Sequence, residues 1–196
     1  MHYFRSVSGT LLVLRGETAT MISSLITPAR VIPRLLAQDA RQAVRYMADV
    51  ASDILRLDRD ELQEAISTRA EISSFGFGQG IAVPHISVSR LQQPSGFFAR
   101  LLPAHDFGAS DALPVDLVFL LLSSEGADTT HLRSLACVVR RLRDREVAAR
   151  LRKADSAEAI YAILTSDTWR SADKGDEMIN GLSAGAMEAM GLSDSF

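Results

Sequence analysis

The feature that most constrains this chain is the run Val115 to Leu122, apolar at every position except Asp116. Eight residues are far short of the roughly 20 that a spanning helix needs. Almost wholly apolar and bounded by Pro114, the run reads as a central strand covered on both faces. The neighbouring segments fit that requirement. Ile81 to Val83 and Gly96 to Leu102 read as further strands, punctuated by Pro84, Pro94, Pro103 and Pro114. Helical spacing precedes them. Asp39 caps Ala43, Val44, Met47, Val50, Ala51, Ile54 and Leu55, and Asp58 with Glu61 opens a second helix ending near Arg69. Helical spacing also follows them. Thr129 or Thr130 caps an apolar side of Leu132, Leu135, Ala136, Val139 and Leu142, then comes a short piece from Glu146 to Leu151. Asp155 with Glu158 caps the last helix. Helices, strands and helices in that order predict an α/β fold, a mixed β-sheet with helices on both faces.

The chain of 196 residues, 47% hydrophobic, suits one globular domain. That domain is expected over 21–168. Residues 1–20 read as a disordered extension or as sequence ahead of a true start at Met21, and 169–196 as a flexible tail. The net charge of −3 provides no basic field for nucleic acid or anionic lipid. The single cysteine, Cys137, leaves no internal disulfide and suits a reducing compartment.

The chemistry concentrates at Gly76-Phe77-Gly78-Gln79-Gly80-Ile81-Ala82-Val83-Pro84-His85. Glycines allow bare backbone N–H groups to approach an anion, and the strand ends on an imidazole. The G-x-G-x-G spacing is not the dinucleotide fingerprint, and no G-K-[ST] follows. On the residues alone, His85 is either a structural histidine at a strand end or the carrier of a phosphoryl group. His131 lies in the first turn of the helix capped by Thr129 or Thr130. There it is either a solvent-facing ring or a hydrogen-bonding partner for an anion at the helix N-terminus. Arg69 either complements a helix dipole or clamps phosphoryl oxygens with its planar fork. His105-Asp106 reads as loop surface, and Arg140-Arg141-Arg143 as a solvated face or an acidic-partner patch. No zinc-like spacing of His and Cys occurs.

Together these segments resemble the phosphotransferase-system IIA components of the fructose/mannitol class, and among them the nitrogen-regulatory IIA proteins. The resemblance rests on Gly80-Ile81-Ala82-Val83-Pro84-His85, on Arg69-Ala70-Glu71, on Pro114 to Phe119, on Glu125-Gly126-Ala127 and on His131-Leu132. It spans about Ser24 to Asp167. It implies the IIA fold and a cytoplasmic phosphocarrier in which neutral His85 takes a phosphoryl group, through Nε2, from an HPr-like protein. His131 and Arg69 would assist, Gly78, Gln79, Gly80 and Ser74 would bind phosphate, and no metal or cofactor is needed. The absence of a recognisable IIB or IIC segment favours the regulatory branch, with potassium-transport or sensor-kinase partners. The alternatives are a sugar-specific IIA that passes phosphate to a separate IIB protein, and a binding module without phosphotransfer. The chain departs from the family pattern at Ser73-Ser74-Phe75-Gly76, where Gly-Ser-Thr-Gly is usual, and at Ala70.

Overall fold

A computed structural model describes residues 18–72, 75–124 and 128–166. The expected tail at 169–196 and nearly all of the expected extension at 1–20 lie outside them. Residues 18–25 form helix α1, which runs across the expected boundary at Met21. Its Ile22 and Leu25, with Ile26 just beyond, are buried. A 3-10 turn at Pro28–Arg30 leads into β1, Val31–Leu35. No strand is expected there from the sequence, and Pro33 interrupts the segment. Proline is tolerated on an edge strand, and β1 is one, pairing parallel with β5 alone.

The two predicted helices follow. α2 (Ala40–Leu55) starts where the Asp39 carboxylate accepts from the Gln42 N–H at 2.7 Å. α3 (Arg59–Ile72) starts where Asp58 accepts from Glu61 at 2.9 Å. Then come β2 (Gly76–Gly78), β3 (Ile81–Ala82), β4 (His85–Val88), β5 (Ser95–His105) and β6 (Val115–Ser124). The sheet order is β1-β5-β6-β3-β2, with β4 also parallel to β6. The strand expected to end at Pro84-His85 instead continues beyond it. Pro84 has no N–H, so the ladder breaks there, yet its carbonyl accepts from Leu121 at 2.8 Å and β4 resumes at His85.

β6 is the central strand, with Val115 and every residue from Leu117 to Ser123 fully buried. One face presents Val118, Leu120 and Leu122 to a core shared with Phe97, Leu101, Ile86 and the apolar sides of α2 and α3. Alternation sends Leu117, Phe119, Leu121 and Ser123 to the other face. There Gly96 leaves room for the Phe119 ring, since a Cβ on it would lie 2.4 Å from that side chain. The second face belongs to α4 (Asp128–Leu142), α5 (Arg145–Lys153) and α6 (Ala157–Thr165). These elements make one compact unit that ends at Thr165.

Several local expectations shift here. α4 buries Ser134, Val138, Arg141 and Leu142, whereas Leu132 is 62% exposed and Ala136 faces solvent. The inner stripe therefore starts from His131 and Ser134, two polar residues that apolar periodicity passes over. Arg141 is not part of a solvated face: it is buried and donates to the Ile163 carbonyl. α6 is capped by Ser156, whose Oγ accepts from Ala159 at 3.1 Å. Asp155 pairs with Arg100 at 3.2 Å instead. His105 is the last residue of β5, its Nε2 2.9 Å from the Ala37 carbonyl, where it can only be donating.

Candidate functional site

The break at Pro84 sets His85 at the start of β4, half-buried, facing the side of the sheet that α4 covers. Val83 fixes the approach. Its N–H donates to the Phe75 carbonyl at 3.0 Å, and its own carbonyl lies 2.9 Å from Nδ1 of His85. A carbonyl only accepts, so Nδ1 carries the ring proton in the neutral state and the lone pair is on Nε2. Phe75 is a core residue whose ring meets His85 edge-on at 6.4 Å.

α4 brings the second imidazole. His131 stands in its first turn, where unsatisfied N–H groups and the helix dipole favour an anion. The two rings are 5.4 Å apart, centroid to centroid, and tilted by 46°. Nδ1 of His131 lies 2.6 Å from Oγ of Ser123, a fully buried residue of β6. Ser123 escaped the sequence reading. The available signal was a serine directly continuing an apolar central strand.

The remaining candidates are distributed differently. Arg69 lies in the last turn of α3, the helix that packs against β4. Ser74 lies outside the described residues. Gly78, Gln79 and Gly80 form a tight turn between β2 and β3, each with positive φ (80°, 59° and 77°). That turn is not beside the imidazole pair. Gly80 accepts from Asp116 and Leu117, whereas His85 pairs with Leu121, four residues further along β6 and about 13 Å away at the strand rise. The Gln79 N–H, expected to meet phosphate, donates to the Asp111 carboxylate at 2.7 Å. This bond, together with one from the Leu113 N–H, holds the Asp111 carboxyl below its usual range. Arg152 clasps the other side of the turn. It donates to the Gln79 carbonyl at 3.0 Å and to both Asp116 oxygens, at 2.7 and 2.8 Å. This hydrogen bonding to Asp116 raises the guanidinium's pKa. Among the described residues, no helix is long and apolar enough to cross a membrane, and no group of three or more His, Cys, Asp or Glu could hold a metal ion.

A mixed sheet covered on both faces, the architecture seen here, recurs in solved IIA proteins, among them IIA mannitol from Escherichia coli, with a TM-score of 0.62 at 18% identity over 71% of this chain and 98% of that one. The crystal structure of nitrogen regulatory protein IIA-Ntr from Neisseria meningitidis matches with a TM-score of 0.70 at 26% identity, over 74% of this chain and 99% of that one. Residues 24–167 match the family "Phosphoenolpyruvate-dependent sugar phosphotransferase system, EIIA 2", and the chain belongs to it. The nitrogen regulatory protein of Bradyrhizobium diazoefficiens is 37% identical over 73% of this chain and 94% of its own length. The fructose-specific EIIA component of Haloferax volcanii is 30% identical over 72% of this chain and 93% of its own.

Proposed function

We propose that this chain is a phosphocarrier whose His85 accepts a phosphoryl group from an HPr-like protein and signals its phosphorylation state to regulatory partners. The observation that carries this reading is the imidazole pair at the α4 N-terminus, with His85 Nδ1 tied to the Val83 carbonyl. That bond leaves the Nε2 lone pair to attack phosphorus as the phosphorus–nitrogen bond to the carrier's histidine breaks. Phosphorylation at Nε2 makes the ring cationic, and the Nδ1–H donated to Val83 gains strength as that charge develops. The transition state is loose, so positioning and charge stabilisation are what the protein supplies. His131 and the α4 N-terminus face the transferring oxygens in this reading, and Arg69 neutralises their charge. The Gly78–Gly80 turn shapes the strand that delivers His85 and does not contact phosphate.

Identity to nitrogen regulatory proteins over most of their length favours the regulatory branch, with potassium-transport or sensor-kinase partners of the kind the family resemblance implies. The fructose-specific relative supports a second reading, transfer onward to a separate IIB protein. The test is phosphotransfer from labelled phosphoenolpyruvate through Enzyme I and an HPr-like carrier. Wild type should take acid-labile, base-stable label, His85→Ala none, and His131→Ala label on the order of a hundredfold more slowly. Equal labelling of His85→Ala would overturn the assignment. Passage of label to an added IIB protein would favour the sugar pathway.

A further inference from the structure

The hydroxyl against His131 has a direction. Ser123 has no exposed surface, and among the described residues its Oγ has one hydrogen-bond partner, Nδ1 of His131 at 2.6 Å. Two arrangements satisfy that distance. If Nδ1 held the ring proton, it would donate to Oγ, and the hydroxyl's own proton would be left without an acceptor in the interior. An unmet buried donor is costly. If the hydroxyl donates to the Nδ1 lone pair instead, both groups are satisfied and the ring proton sits on Nε2. The register supports this role. Ser123 pairs with Ser87 two residues beyond the Leu121–His85 pair, so its side chain shares a sheet face with His85.

We propose that Ser123 is a positioning residue that holds His131 as the Nε2–H tautomer, a hydrogen-bond donor toward a phosphoryl group on His85. The two imidazoles, 5.4 Å apart, are then set in opposite tautomers by two different backbone-anchored groups. The Val83 carbonyl makes His85 a nucleophile at Nε2, and the Ser123 hydroxyl makes His131 a donor at Nε2. The donor function rests on the phosphocarrier reading above, whereas the tautomer does not.

The experiment is long-range ¹H–¹⁵N NMR of the histidine rings in the full unphosphorylated chain at mildly alkaline pH, paired with label uptake from an HPr-like carrier. Wild type, Ser123→Ala and Ser123→Thr are compared. The expected result is an Nε2–H ring for His131 in wild type and a mixture of tautomers in Ser123→Ala. Uptake by Ser123→Ala should be on the order of tenfold slower, the size of loss seen when a histidine is deprived of the group that orients it. Ser123→Thr keeps the hydroxyl and should restore both. A wild-type His131 protonated at Nδ1 would overturn the proposal, as would a Ser123→Ala chain with unchanged tautomer and rate. If Ser123→Thr restored neither while melting at the wild-type temperature, the alanine effect would be one of packing and the proposal would fall. A wild-type chain that took no label would sink the carrier reading, and the ring spectra alone would then decide the role of Ser123.

Discussion

Residue by residue, the chemistry of this chain is set by what each polar group is tied to. His85 and His131 are the same side chain, but one Nδ1 faces a carbonyl and the other a hydroxyl. A carbonyl can only accept, so the first ring is fixed outright. The hydroxyl can do either, so the second depends on the burial around it. Asp111 is a third case. It accepts from the Gln79 and Leu113 N–H groups, bonds that favour the carboxylate, so its pKa lies below the unfolded value. A depressed carboxyl contributes stability above its unfolded pKa and loses it as pH falls through the folded one. The Gln79 amide proton resonance is therefore expected to move upfield in acid, with a midpoint below the ordinary carboxylate range. In Asp111→Asn the transition should vanish. A midpoint at or above the ordinary carboxylate value would contradict the anchoring described for the turn.

At the level of elements, the Gly78-Gln79-Gly80 turn and the Pro84 break do separate jobs along one line of strand. The turn demands left-handed backbone at three successive residues, and at Gly80 a Cβ would lie 2.7 Å from Arg152 Nη2 and 2.9 Å from Asp116 Oδ1. Gly80→Ala is expected to cost about 1–3 kcal/mol in urea denaturation. The folded variant should still take up phosphoryl groups at the wild-type rate, because the turn lies opposite Asp116 and not opposite Leu121. A folded Gly80→Ala chain with slowed uptake would return the turn to the site. Sequence alone conveyed the central strand and the Asp39 and Asp58 caps, since each rests on local composition. It could not convey distance along the sheet, which register decides. It also mis-phased α4, because the helix buries His131-side polar residues and exposes Leu132. β1 stayed hidden for a related reason: Pro33 forbids a central strand, and only the sheet order reveals an edge.

Over the whole molecule, the two-faced sheet explains why the site can be built from such separate parts. β4 supplies His85, β6 supplies Ser123, and α4, lying over that face, supplies His131. α1 belongs to the same body through Ile22 and Leu25, both nearly inaccessible to solvent. Each such buried side chain contributes roughly 1.5–3 kcal/mol. A chain shortened to begin at Thr18 is the reference for this contribution. One that begins at Ile26 should lose several kcal/mol in denaturant titration. Equal stability of the two would show that α1 adds nothing to the core.

The central claim is that His85 is the phosphoryl acceptor and that Nε2 is the bonding atom. It is tested most directly by ³¹P and ¹⁵N NMR of the chain phosphorylated through an HPr-like carrier. The expected result is a single phosphohistidine at residue 85, with phosphorus coupled to Nε2 and the Nδ1 proton retained against Val83. Phosphorus on Nδ1 of His85, or on His131, would contradict it.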